Sequence, residues 1–221
     1  MHDLGNTVLE RVRGRRVPLW LKVAYTLFVC VLVPYYWTQY TPANFLYFCD
    51  VALLVTLAAM WLESPLLASM PAVAITLPQL LWAADFVVRF VAGRHIINLT
   101  EYMFDPRIPL LVRGLSLFHG WLPFLLAWLV WRLGYDRRAW WMQTALACVV
   151  LVVSCAVVAD PFGPAGNLNK VFGPDDTAVQ TWMPQAAWVG LLMLIHPVCI
   201  IVPTHFVLRR LMPQAPVPSP A

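Results

Sequence analysis

The chain of 221 residues is 61% hydrophobic and only 12% charged, with a mean hydropathy of +0.70, whereas soluble domains are about half apolar and a quarter charged. That profile excludes a soluble globular fold. Ten glycines, five cysteines and 13% aromatic residues also exclude a collagen-like repeat, a disulfide-built scaffold and a disordered chain. Apolar stretches longer than about 18 residues recur, so the sequence reads as an all-α, polytopic integral membrane protein.

Residues 1–16 form a short basic arm carrying Arg11, Arg13, Arg15 and Arg16. The first apolar run starts at Val17 without a small-residue cleavage site, which predicts a retained helix rather than a signal peptide. Six apolar segments follow, at about 17–37, 43–62, 65–92, 108–132, 139–159 and 182–208, each long enough to cross hydrocarbon. The transmembrane domain is therefore expected over 17–212 with six helices. Pro71, Pro78, Pro197 and Pro203 lie in the two longest segments, where kinked or tilted helices are expected. Residues 213–221 hold four prolines and no charge, the composition of a disordered tail.

Six crossings place both termini on one side, and Lys and Arg choose that side. Ten of them, including Lys22, Arg132, Arg137, Arg138, Arg209 and Arg210, fall on the side of the termini, against Arg94, Arg107 and Lys170 opposite. Both termini are thus expected in the cytoplasm, and the net charge of +4 reflects topology rather than nucleic-acid binding. Trp20, Trp61, Trp131, Trp140 and Trp141 at the inner ends, and Tyr35, Tyr36, Trp37, Tyr40 and Trp182 at the outer ends, form the two aromatic belts that this orientation requires. The expected location is a bacterial inner (plasma) membrane. Two long external connections, 93–107 and 160–181, are candidate lids, with ordinary surface loops the favoured reading.

The five cysteines, Cys30, Cys49, Cys148, Cys155 and Cys199, lie in apolar runs without zinc or redox spacing, so no metal or cofactor is expected. Ionisable side chains inside a membrane are costly and mark functional sites. Asp50, Asp85, Arg89, Arg113, His119 and His196 are such residues, and counting along the helices puts most of them in the outer half of the bilayer. Asp85 and Arg89 are spaced i,i+4 with the acid first, which predicts an ion pair along one helix face. Asp50 and Arg113 suit a second pair between helices. Asp50, Asp85, Arg89, Arg113 and His119 are accordingly expected around one shared cavity. His119 precedes Pro123 by four residues, so the missing proline N–H leaves its carbonyl unpaired and the helix open just there. Such an imidazole, oriented by Asp50 or Asp85, has the parts of a general base. The competing reading is a histidine that packs helices together.

Two segments also resemble a known family. NFLYFCDVALL on the second helix and FHGWLPFLL on the fourth are similar to the corresponding segments of the androgen-induced-protein family of six-helix intramembrane hydrolases, which act on fatty acid esters of hydroxy fatty acids. The resemblance implies a catalytic histidine at His119, ahead of Leu122-Pro123, and places the family's threonine nucleophile at Tyr47. Cys49, or a water activated by His119, would then have to replace it. Adjacent helical residues point about 100° apart, so Cys49 and Asp50 are not expected to face one cavity squarely.

The sequence thus supports an intramembrane hydrolase or acyl transferase acting on a lipid-like ester from the outer leaflet. His119, Asp50, Cys49 and Tyr47 would be the catalytic candidates, and Asp85, Arg89 and Arg113 the substrate-binding ones. Membrane lipids and a lipid-like small molecule are the expected partners. A structural or assembly protein, a proton-coupled transporter using the same polar cluster, and a haem protein ligated by His119 and His196 are the alternatives, in that order.

Overall fold

The computed structural model describes residues 17–163, 166–175 and 178–215. Among them all regular elements are helical: α1 Leu19–Gln39, α2 Phe48–Leu62, α3 Pro65–Ala92, α4 Leu110–Ser116, α5 Phe118–Leu133, α6 Ala139–Val157, α7 Gln185–His196 and α8 Val202–Leu211. Short 3₁₀ turns at Pro42–Leu46, Glu101–Phe104 and Leu168–Lys170 lie in the connections. The arm at 1–16 lies outside the described residues.

Five helical stretches are long and apolar enough to cross a membrane: Leu19–Gln39, Pro65–Ala92, Leu110–Leu133, Ala139–Val157 and Gln185–Leu211. That is the architecture of a multi-pass membrane protein. The second expected span is shorter than its sequence suggests. Its helix, Phe48–Leu62, has 15 residues and a rise of about 22 Å, against the ~30 Å of a hydrocarbon core. Tyr47, at φ −58 and ψ 137, separates it from the preceding 3₁₀ turn.

The core is organised by α3. Ser64 caps its start by accepting from Leu67 N at 3.3 Å, Pro65 occupies its first turn, and Gly93 at φ +69 ends it in the left-handed conformation, where an absent Cβ removes the steric penalty. More than half of its apolar stretch is buried, and α2, α5, α6 and α8 all pack on it. Ala68 to Ile75 are buried without interruption, as a helix enclosed on all sides requires. Pro71 and Pro78 are accommodated within this one helix. Pro197 does interrupt its helix, opening a π-helical turn over Pro197–Ile201 between α7 and α8, since it has no N–H to give to the preceding turn.

The two ends of α3 define two ends of the molecule. Near its start, the α5–α6 connection docks through Asp136 N to Ser69 Oγ at 3.0 Å, and Lys22 pairs with Glu63 at 2.7 Å; this is the basic end. The connections around 93–107 and 160–181 gather at the other, the loop end. Residues 213–215 do not form the disordered tail expected of their composition: they run beside Tyr135 in a short parallel bridge, with Tyr135 N donating to Pro213 O at 2.6 Å and Ala215 N to Tyr135 O at 2.9 Å. The remaining tail residues, 216–221, lie outside the described residues.

Candidate functional site

His119 owes its geometry to a break between α4 and α5. At Leu117 the helix tightens, and Gly120 N donates to Leu117 O at 2.9 Å instead of to Ser116 O. The Ser116 carbonyl is thereby left over, and His119 Nδ1 takes it at 2.8 Å. A carbonyl only accepts, so Nδ1 carries the proton and Nε2 keeps its lone pair. The imidazole is stacked between Trp82 of α3, with ring centroids 5.2 Å apart, and Phe118, at 4.1 Å. Sequence reasoning assigned the orienting role to Asp50 or Asp85, but a backbone carbonyl freed by the helix break fills it.

His119 lines a cavity of ≈ 350 Å³ between α2, α3, α5 and α7. Its walls are mainly apolar, from Ala74, Ile75, Pro78, Trp82, Leu99, Phe48 and Ile200, and its polar groups come from Tyr47, Cys49, Gln79, His119, Asn169, Lys170 and His196. An apolar hollow with a few convergent polar groups is the usual form of a small-molecule site. Two of those groups are unpaired. Gln79 is 3% exposed, and neither its Oε1 nor its Nε2 has a hydrogen-bond partner; His196 Nε2 is also buried without one. His196 stacks on Phe48 at 4.3 Å, just ahead of the π-helical turn. Buried polar groups left this way cost about 1–3 kcal/mol each unless something fills the space.

The break at Tyr47 is part of the same site. Asn169, from the long connection before α7, bonds both sides of it: Asn169 Oδ1 accepts from Phe48 N at 3.0 Å, and Nδ2 donates to Leu46 O at 2.8 Å. Asn169 itself is held at φ +51, a left-handed conformation that Asn adopts more readily than most residues. Its segment is tied down further by Trp188 Nε1 to Lys170 O at 2.9 Å and Gln185 Nε2 to Val171 O at 2.5 Å, while Leu168 and Val171 are fully buried. Asn169 to Val171 thus form a plug tied into the cavity wall.

The cavity does not gather all the ionisable residues expected around it. Cys49 lines it and Asp50 does not, as the angle between adjacent helical residues requires. Asp50, 3% exposed, receives Asn44 Nδ2 at 3.4 Å and the Cys49 thiol at 3.9 Å, with Oδ1 unpaired. The ion pair between Asp85 and Arg89 is not formed. Asp85, fully buried, collects the connection after α3 instead: Ile96 N at 2.7 Å, Ile97 N at 3.0 Å, Thr100 N at 3.0 Å, Thr100 Oγ1 at 2.7 Å and His95 Nδ1 at 3.1 Å. Backbone N–H groups at the loop end satisfy this carboxylate more completely than one guanidinium could. Arg89 bonds Gly93 O and lies over Phe104, 5.3 Å from the ring centroid, bordering a separate surface groove of ≈ 690 Å³. Arg113 bonds Met103 O at 3.3 Å rather than pairing with Asp50.

Gln79 and Asn169 were missed in the sequence because only ionisable side chains were weighed. Gln79 carried a signal nonetheless, as an amide inside the apolar run ITLPQLLW. Among the described residues no group of three or more His, Cys, Asp or Glu side chains could hold a metal ion. No family model, curated protein or solved structure matches this chain.

Proposed function

We propose that this cavity binds a lipid-like acyl ester and that His119 acts there as general base, making the protein an intramembrane hydrolase. The observation that carries the reading is the Nδ1 bond to Ser116 O, which leaves Nε2 basic on a residue lining a mostly apolar hollow. In the reaction, Nε2 takes a proton from water as the water oxygen attacks the acyl carbon. The oxyanion that forms is met by the unpaired Gln79 amide N–H. Collapse expels the alkoxide, which recovers the proton from the imidazolium, so acid and alcohol leave and the histidine returns neutral. Cys49 is not the nucleophile in this scheme, because its thiol is directed to Asp50 Oδ2.

The same proposal includes six crossings in a bacterial inner (plasma) membrane, with α2 as a short crossing extended by its 3₁₀ turn and both termini cytoplasmic. The loop end, and with it the cavity, then faces the outer leaflet. Ester turnover by purified protein in liposomes, read with nitrophenyl esters of graded chain length, tests the activity. His119→Ala should lower kcat by about 10²–10⁴ without lowering the melting temperature by more than a few degrees, while Cys49→Ala keeps most of the activity. A wild-type protein without turnover, whose His119→Ala variant is merely less stable, would instead establish the helix-packing role.

A further inference from the structure

At the basic end, opposite the cavity, three arginines from two parts of the chain converge without an acidic partner among the described residues. Arg137 follows α5, and Arg209 and Arg210 end α8; together with Phe206 and Val207 they enclose a surface pocket of ≈ 550 Å³ that contains no carboxylate. Neighbouring Arg138 is already neutralised, holding Asp136 through Nε at 3.1 Å and through the guanidinium at 2.8 Å. Among the described residues the ion pairs leave out Arg137, Arg209 and Arg210.

The convergence is built rather than incidental. Gly134 sits at φ +95, and a Cβ there would lie 2.7 Å from Ala215 Cα and 2.8 Å from Ala215 N, so only glycine lets Gln214 and Ala215 lie against this turn. The bridge to Tyr135 then fixes Gln214. Gln214 Oε1 accepts from Arg137 Nε at 3.1 Å, and Gln214 Nε2 donates to Arg209 O at 3.0 Å and Met212 O at 2.9 Å. One neutral side chain thus holds Arg137 against the end of α8 while the guanidinium NH₂ groups remain for a ligand.

We infer that Arg137, Arg209 and Arg210 form a binding site for the phosphate of an anionic glycerophospholipid. Guanidinium forks match phosphate oxygens. The lipid, rather than free phosphate, is favoured by the rest of the wall: Phe206 and Val207 are 58% and 52% exposed and continue along a membrane-crossing stretch, where acyl chains would lie. Basic pockets at the ends of membrane helices bind anionic headgroups on these terms.

The experiment is a titration of the full chain, in nonionic detergent, with dioleoylphosphatidylglycerol, dioleoylphosphatidylcholine or sodium phosphate, read by native mass spectrometry and by thermal shift. Phosphatidylglycerol should bind at least about tenfold tighter than phosphatidylcholine, and less tightly as salt is raised. R209Q/R210Q should weaken it by about thirtyfold, at roughly fivefold per arginine. Gln214→Ala, which changes no charge, should weaken it several-fold, and this variant decides the matter if the double one does not fold. Equal affinity for the two lipids, or unchanged binding in Gln214→Ala and R209Q/R210Q, would overturn the site. Displacement of the lipid by an equal concentration of phosphate would overturn its assignment to a lipid.

Discussion

At the residue scale, single polar side chains hold the loop end together, and Asn169 has the most to do. It supplies the hydrogen bonds that the helix break at Tyr47 removes from Phe48 N and Leu46 O. Asn169→Gly keeps access to φ +51 and deletes those bonds together with the Nδ2 donation to Ser154 Oγ at 3.3 Å, so it should destabilise by about 1–3 kcal/mol for each buried polar group left unpaired. Asn169→Ala should be worse, because it adds a left-handed strain that glycine escapes; equal melting temperatures for the two variants would contradict this. A second residue makes a pH prediction. Asp105 accepts from the Arg107 side chain at 2.7–3.0 Å and from its backbone N at 2.8 Å, which lowers its carboxyl to about 2. An unfolded aspartate titrates near 3.9, so the bond's stabilisation is complete above about pH 4 and fades as pH falls towards 2. Asp105→Asn should flatten that part of the acid melting profile, and an unchanged profile would contradict the assignment.

At the scale of elements, periodicity and length made five of the six helical segments legible, while the second and the connections deceived. Nothing in TPANFLYFCDV shows that Tyr47 leaves the helix, because the residue that stabilises the break is 122 positions away. The two long connections read as polar surface loops and candidate lids, yet both are fastened by buried side chains, one to Asp85 and the other through Asn167 and Asn169. Asn167, 4% exposed, donates to Gly173 O at 2.9 Å and Asp175 O at 3.0 Å and accepts from Phe172 N at 2.9 Å. The wild-type chain should therefore resist trypsin at Lys170, where the side chain is exposed but the backbone is held. Asn167→Ala should be cut there at least about tenfold faster, on the scale of one or two lost hydrogen bonds; equal rates would show the plug to be mobile.

At the scale of the whole molecule, the sequence grouped more ionisable residues around His119 than the structure brings to its cavity. His119, Cys49 and Tyr47 do share a cavity. Arg89, Arg113 and Asp85 were grouped with them by depth alone, and depth says nothing of which helix face a residue occupies or which backbone groups will reach it. The proposed topology makes its own prediction: single cysteines at positions 5 and 138, in a background without native cysteines, should react with an impermeant thiol reagent from the same side of the membrane, and reaction from opposite sides would refute six crossings. The central claim, that His119 activates water against an acyl carbon in this cavity, is tested most directly by turning over an acyl ester in ¹⁸O-labelled water. The account predicts one ¹⁸O atom in the released acid, none in the alcohol, and labelled acid formed about 10²–10⁴-fold more slowly with His119→Ala. Label in the alcohol, or undiminished labelling of the acid by the His119→Ala protein, would contradict it.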